Sequence, residues 1–505
     1  MSDPCVIDHR EELTLAGFVR LVEDPPQFVL SSETREVMSR ATALVDRIIS
    51  SGEQVYGITT GFGPLVVHQA GDSPRAHQEQ LIYHLATGTG DPLPGRAVRA
   101  AMLHRVLTLS RGYSGASIEL VEQIAAFLSA GVEPEVPAYG SVGASGDLTP
   151  LAHVALAMMG EGPFLQGPGE KVLEILGLTR YRFGRRDALA LVNGTSVSTG
   201  LTILAWWDAA TLIAPALASM ALMVDVLGLP RQAYTPKLQE VRGHPGQIAV
   251  ARCLLQILGD DPAPGKSDLL QSAYSFRCIP QILGPAVEAL EYAGSILTRE
   301  LNGVTDNPVF DLASETVIHG GNFQGVAPAF ACDSIALAIA VVANLLERQI
   351  ARITDVNLNG GLPPFLTGMP PGGHSGLMGL QVSATALAGE INAAARSRYV
   401  LETRSTNGAN QDVVSMSTLA GWRLYQVVPR LRELVAMHLI TATQALDIAA
   451  PGGGAGGIYR WVRRQVPPLR QDRPLSAEIR SLADRLKGEP PTEGVPRLEE
   501  LGLTG

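Results

Sequence analysis

After residue 195 the chain consists largely of long apolar stretches with few breaks, and this limits the folds open to it. "LTILAWWDAATLIAPALASMALMVDVLGL", "DSIALAIAVVANLLERQIARI" and "WRLYQVVPRLRELVAMHLITATQAL" all run longer than a strand does. Their Ala, Leu and Ile content favours helix. Helices this apolar must bury more than one narrow face, so they are expected to pack into a bundle whose surplus apolar surface is shared between subunits. The most apolar segment, "AATLIAPALASMALMV" (209–224), is bounded by Asp208 and Asp225. Its uncharged length falls short of the ~18 residues of a membrane span, so it reads as a helix buried on all sides.

The expected fold class is therefore mainly α. A long central helix bundle (191–448) follows a loop-rich N-terminal lobe (1–190) and precedes a C-terminal helical tail (449–505), with "APGGGAGG" (450–457) marking the break. In the first lobe "SETREVMSRATALVDRII" puts Val37, Ala41, Leu44, Val45 and Ile48 on one helical face, with Ser32 as N-cap. "SIELVEQIAAFLSAG" repeats the pattern between Ser117 and Gly131 as start and stop signals. Strand-like alternation is confined to short pieces such as "QFVLS" (27–31).

With 46% hydrophobic and 17% charged residues over 505 positions, the chain can build a large core. A net charge of −10 disfavours nucleic acid or an anionic membrane as partner. The basic run "RWVRRQVPPLRQDR" (460–473) reads as a solvated face. Cys5, Cys253, Cys278 and Cys332 are scattered without a CxxC, and the N-terminus has no apolar h-region. Reduced thiols in the cytoplasm are expected.

The usual catalytic signatures are missing. Gly452, Gly454 and Gly457 satisfy G-x-G-x-x-G but follow a helical stretch where a nucleotide fold needs a strand. There is no Walker lysine loop, no G-x-S-x-G elbow and no H-E-x-x-H among the ten histidines. Neither a metal nor a nucleotide is expected, so an electrophile would have to come from the chain itself.

"YGSVGASGDLTPLAH" (139–153) can supply one. The small residues around Ser145 let the backbone bend tightly. If it bends enough, the Gly146 amide nitrogen can attack the Ala144 carbonyl carbon and close a five-membered ring. Loss of one water from the ring and one from the Ser145 side chain leaves 4-methylidene-imidazol-5-one (MIO), an exocyclic methylene conjugated to the ring. Glycine is needed third for an unhindered nitrogen and serine second for its leaving hydroxyl. Asp147 is placed to assist the proton transfers, and Thr149 and Pro150 look like N-cap and N1 of the next helix. The ring would then lie at a helix N-terminus, whose partial positive charge favours electron density arriving there.

"GSVGASGDLTPLAH" resembles the signature of the aromatic amino acid ammonia-lyases and aminomutases, the MIO-dependent histidine, phenylalanine and tyrosine enzymes. "VYGITTGFGPL", "LVNGTS", "AYSFRCIPQ", "TDNPVF", "GGNF", "GLPPFL" and "NQDVVSM" match further family blocks in order, so the resemblance covers residues 10 to 480. It implies loss of ammonia and a β-proton from an L-α-amino acid, by a homotetramer whose active sites are each built from three subunits. Tyr56 need not then come from the chain that supplies the ring.

By the same resemblance Tyr56 is the general base on a mobile loop, flanked by Gly57, Gly61 and Gly63. Acting at neutral pH requires its reference pKa of ~10 to fall by ~3 units. Arg277 holds the substrate carboxylate, a task suited to a guanidinium fork. Asn193, Tyr274, Asn307, Asn410 and Gln411 surround the ring and the substrate's polar groups. Phe323 lies beside the ring, and Gly63, Leu85 and Leu148 help line the substrate site.

The pair His84-Leu85 resembles tyrosine ammonia-lyases, where the histidine hydrogen-bonds the phenol hydroxyl. Conversion of L-tyrosine to trans-p-coumarate is therefore expected. His374 in "GGHSGLMG" resembles tyrosine 2,3-aminomutases, and Ser272 stands where many relatives carry Asp. The alternatives are an aminomutase, a phenylalanine or histidine ammonia-lyase, and an inactive scaffold relative without the ring.

Overall fold

The computed structural model describes residues 4–71, 73–259, 270–451 and 456–503. Gly452 and Gly454 lie outside the described residues. The chain is mainly helical, and among the described residues strands occur only in three two-stranded sheets. Cys5–Ile7 pairs in parallel with Phe28–Leu30, Thr89–Pro92 antiparallel with Pro137–Tyr139, and Val309–Asp311 antiparallel with Thr316–Ile318.

The three apolar stretches form the helices Ser196–Val226, Val326–Thr354 and Ser417–Ala449. The first packs along the third, and the second packs against the third and against Ile279–Asn302 and Met378–Arg396. Ser196–Val226 is buried around nearly its whole circumference, so its apolarity is used up inside the fold. The N-terminal part contributes Gly95–Ser110, which lies across Ser196–Val226. Two glycines let neighbouring helices approach Ser196–Val226 closely, Gly200 for Gly95–Ser110 and Gly421 for Ser417–Ala449. A Cβ on Gly200 would come within 3.1 Å of the Ala100 backbone, and one on Gly421 within 3.2 Å of Leu201. One hydrophobic cluster runs from Ile7 to Leu503.

Local start signals decide where helices begin. Ser117 caps Ile118–Ala130 by accepting from the Leu120 N–H, and Gly131 ends it in the left-handed conformation. The N-cap of Ser32–Ser50 is Ser31, one residue earlier than expected, accepting from the Thr34 N–H. The helix after the small-residue stretch spans Leu148–Met158, with Asp147 as N-cap in place of Thr149. The Asp147 carboxylate is used elsewhere, and its destination organises the site.

Candidate active site

The "GASG" segment is a folded turn held at the N-terminal ends of several helices. Gly143 and Gly146 have φ of +69° and +72°, and the backbone doubles back so that Gly143 and Ala144 bridge to Gly146. A Cβ on Gly146 would fall 2.3 Å from the Gly194 carbonyl oxygen, and one on Gly143 2.3 Å from the Ser415 and Ser417 hydroxyls. Only glycine fits at either position. The Gly325 N–H, at the start of Val326–Thr354, donates to the Gly143 carbonyl (3.1 Å), and the Met416 N–H, at the start of Ser417–Ala449, donates to that of Val142 (2.8 Å).

Asp147 closes the turn from the other side. Its Oδ2 accepts from the Val197 and Ser198 N–H groups (both 2.8 Å) and the Ser198 hydroxyl, and its Oδ1 accepts from Thr418. The carboxylate thus caps Ser196–Val226. Burial pushes its pKa up, while these hydrogen bonds favour the charged form. All of its observed contacts clamp the loop. Four helix N-termini converge on three small residues, and their partial positive charges add.

The turn faces a cavity of about 440 Å³. Tyr56, Gly63, His84, Leu85, Ser145, Leu148, Asn193, Asn307, Phe323, Asn410 and Gln411 all line it, so most of the residues singled out in the sequence come together. Gln411 Nε2 donates to the Ser145 hydroxyl (2.8 Å), its orientation fixed by Thr406 bonding its Oε1 (2.7 Å). Asn193 Nδ2 donates to the Asn307 carbonyl (2.7 Å), leaving Asn193 Oδ1 buried and without a partner among the described residues. An oriented serine hydroxyl, a side-chain-free turn and an orphaned amide oxygen fit a ring formed from Ala144, Ser145 and Gly146.

Tyr56 sits on the 55–63 loop, and Gln78 bridges that loop to Leu189, donating to the Gly57 carbonyl and accepting from the Leu189 N–H. The Gly63 N–H donates to the Tyr56 phenol oxygen (2.8 Å). Burial raises the Tyr56 pKa and the Gly63 bond opposes that rise. Within this chain the balance is thus opposite to the depression that a base needs. His84 lies on Pro74–Leu85 with Nδ1 3.3 Å from the Gln80 carbonyl. A carbonyl only accepts, so Nδ1 is the donor in this contact.

Tyr274 and Arg277 are not part of this cavity. They sit on the short helix Tyr274–Arg277, with Tyr274 69% exposed and Arg277 stacked on its ring and bonded to Gln271. Among the described residues no Arg, Lys, Asp or Glu lines the cavity. Sequence reasoning missed Phe62, Pro64, Leu65, Val66, Leu81, Leu189 and Asn407 as lining residues. Leu189 and Asn407 lie within four residues of recognised blocks, and that proximity was the available signal. Among the described residues no group of three or more His, Cys, Asp or Glu could hold a metal.

Helical scaffold and cavity together define an ammonia-lyase or aminomutase type of enzyme. The sequence pattern of the family described as aromatic amino acid lyase matches residues 13–464. A tyrosine ammonia-lyase from Cereibacter sphaeroides is 39% identical over 500 residues, covering 92% of this chain and 94% of that protein. A histidine ammonia-lyase from Symbiobacterium thermophilum is 37% identical, covering 94% of each. The crystal structure of a tyrosine aminomutase from Streptomyces globisporus superposes with a TM-score of 0.90 at 31% identity, covering 96% of this chain and 97% of that one. The chain belongs to the aromatic amino acid lyase family.

A base role for Tyr56 would require its phenolate, so under that role kcat/KM should rise from neutral towards alkaline pH. Tyr56→Phe should remove that limb and lower kcat by about 10²–10⁴-fold. A variant with an unchanged pH–rate profile would take Tyr56 out of the base role.

Proposed function

We propose that this chain is a cytoplasmic tyrosine ammonia-lyase, converting L-tyrosine to trans-p-coumarate and ammonia with an MIO group made from Ala144-Ser145-Gly146. The observation that carries the substrate choice is His84, which lines the same cavity as Tyr56 and Ser145. The MIO group supplies the electrophile that draws electron density from the substrate. Tyr56 takes the β-proton, the C–H electron pair becomes the new double bond, and the C–N pair leaves with the nitrogen. His84 Nε2 accepts from the phenol hydroxyl, while Leu85 and Leu148 enclose the aromatic ring. A site built to bond a hydroxyl discriminates strongly against the analogue lacking it.

The reading includes a homotetramer. Among the described residues no cation lines the cavity to meet a substrate carboxylate, while Arg277 and the exposed Tyr274 lie outside it. In this reading a neighbouring copy brings both in. Its Arg277 would add the positive charge that helps hold Tyr56 as phenolate, offsetting the effect of burial. Apolar side chains left exposed on the bundle, Phe330, Leu337 and Val382, are the surface such an assembly would cover.

Incubation with L-tyrosine, L-phenylalanine and L-histidine in parallel should give p-coumarate as the dominant product. Dominant cinnamate or urocanate would replace the substrate assignment, and accumulating β-tyrosine would favour the aminomutase, to which His374 and the Streptomyces globisporus structure point. His84→Phe should shift the tyrosine-to-phenylalanine ratio of kcat/KM by on the order of 10²-fold, less than in an enclosed site because His84 is exposed.

Ser145→Ala and Arg277→Ala should each be inactive alone. Co-assembled one to one, they should regain about a quarter of wild-type activity, as random pairing of intact halves predicts. No recovery in mixed oligomers would place Arg277 and the ring in one chain's site.

A further inference from the structure

Beneath the cavity lies a charged cluster that none of these roles uses: Arg105, Arg186 and Asp306, all buried to 1% exposure or less. Buried charges are tolerated only when paired and hydrogen-bonded, so their partners are informative. Arg186 forks onto Asp306, at 2.9 Å to Oδ2 and 3.1 Å to Oδ1, and also donates to the carbonyls of Ser114 and, at 3.1 Å, Asn307. Arg105 makes only a 3.8 Å contact with Asp306. It spends its donors on main-chain carbonyls, those of Ala190 (3.0 Å), Thr305 (3.2 Å) and Asn193 (3.2 Å). Burial pushes its pKa down to about 10, so it remains a cation at neutral pH.

Two of the carbonyls held by the cluster belong to cavity residues, Asn193 and Asn307. Asp306 Oδ1 takes the Asn307 N–H (2.7 Å), and the Asn307 carbonyl receives Asn193 Nδ2. The next residue, Gly194, is fitted around Arg105. A Cβ there would fall 2.0 Å from Arg105 Nη1, and the Gly194 carbonyl receives the Asp147 N–H at 2.8 Å. Arg105 therefore grips the turn against which the tripeptide loop leans. Another buried arginine offers a contrast. Arg96 engages the carboxylates of Asp208 and Glu23 on the bundle flank and no carbonyl of a cavity residue.

We propose that Arg105, backed by Asp306 and Arg186, is a positioning residue that fixes the Asn193–Gly194 turn, and through it both the closure of the tripeptide loop and the aim of the unpartnered Asn193 Oδ1. This inference rests on the proposed function. Lysine in place of Arg105 keeps the charge but offers a point cation on a flexible stem, unable to span three fixed carbonyls.

The test compares wild type, Arg105→Lys and the control Arg96→Lys by intact mass, thermal midpoint, and kcat and KM per matured site. Arg105→Lys should show a smaller fraction of chains lacking two waters. Its kcat per matured site should fall on the order of tenfold to a hundredfold, with KM within about twofold. Arg96→Lys should lower the thermal midpoint alone. If Arg105→Lys yields no folded protein, Arg186→Lys reads the same network from the Asn307 side and should give the same split between kcat and KM. A variant that loses stability but keeps full maturation and unchanged kcat overturns the inference while the proposed function stands. A wild-type chain of full encoded mass and no turnover overturns both.

Discussion

The buried Asp147 carboxylate is the contact on which the site depends. Asp147 ends the small-residue turn and stands at the N-cap of Leu148–Met158, while its carboxylate places both oxygens against donors from Ser196–Val226 and Ser417–Ala449. A carboxylate at a helix N-terminus is favoured by the unsatisfied N–H groups and by the dipole. The loop is held at its other end by Gly325, Met416 and Ser415. Ala144, Ser145 and Gly146 lie between two fixed ends with no room for larger side chains at either glycine. That is the mechanical condition an intramolecular attack by the Gly146 nitrogen on the Ala144 carbonyl requires, since holding reacting groups in place replaces the entropy loss of bringing them together.

The long helices have a second consequence. Ser196–Val226, Val326–Thr354 and Ser417–Ala449 would serve the core in any register, but Gly421 lets the first turn of Ser417–Ala449 close on that of Ser196–Val226, while Gly200 admits the Ala100 backbone of Gly95–Ser110. The apolar bundle and the polar site are thus one construction, in which the core sets the distance between the helix ends and the ends hold the turn. Two of the residues singled out in the sequence sit outside this frame. Tyr56 is on a glycine-flanked loop tethered through Gln78, and Arg277 is on a short separate helix.

Much of this was legible in the sequence, for identifiable reasons. Long apolar runs can only be buried helices, so the bundle followed directly from them. Ser117 and Gly131 act locally and were placed correctly. Asp147 misled because its carboxylate serves a helix some fifty positions along the chain, so Thr149 looked like the nearer cap. Arg105 was invisible, since within "AMLHRVLTLS" an arginine at helical spacing looks like a surface residue. Only tertiary packing buries it against the carbonyls of Ala190, Asn193 and Thr305. Arg277 was recognised by type, but its separation from the cavity could appear only once the chain was folded.

The central claim is that the clamped turn converts itself into the reactive group. Intact-mass spectrometry of the purified full-length chain tests this most directly. The account predicts a mass lower than that encoded by two waters, with the loss mapping to the peptide containing residues 144–146 and disappearing in Ser145→Ala. A wild-type chain at its full encoded mass would contradict the account.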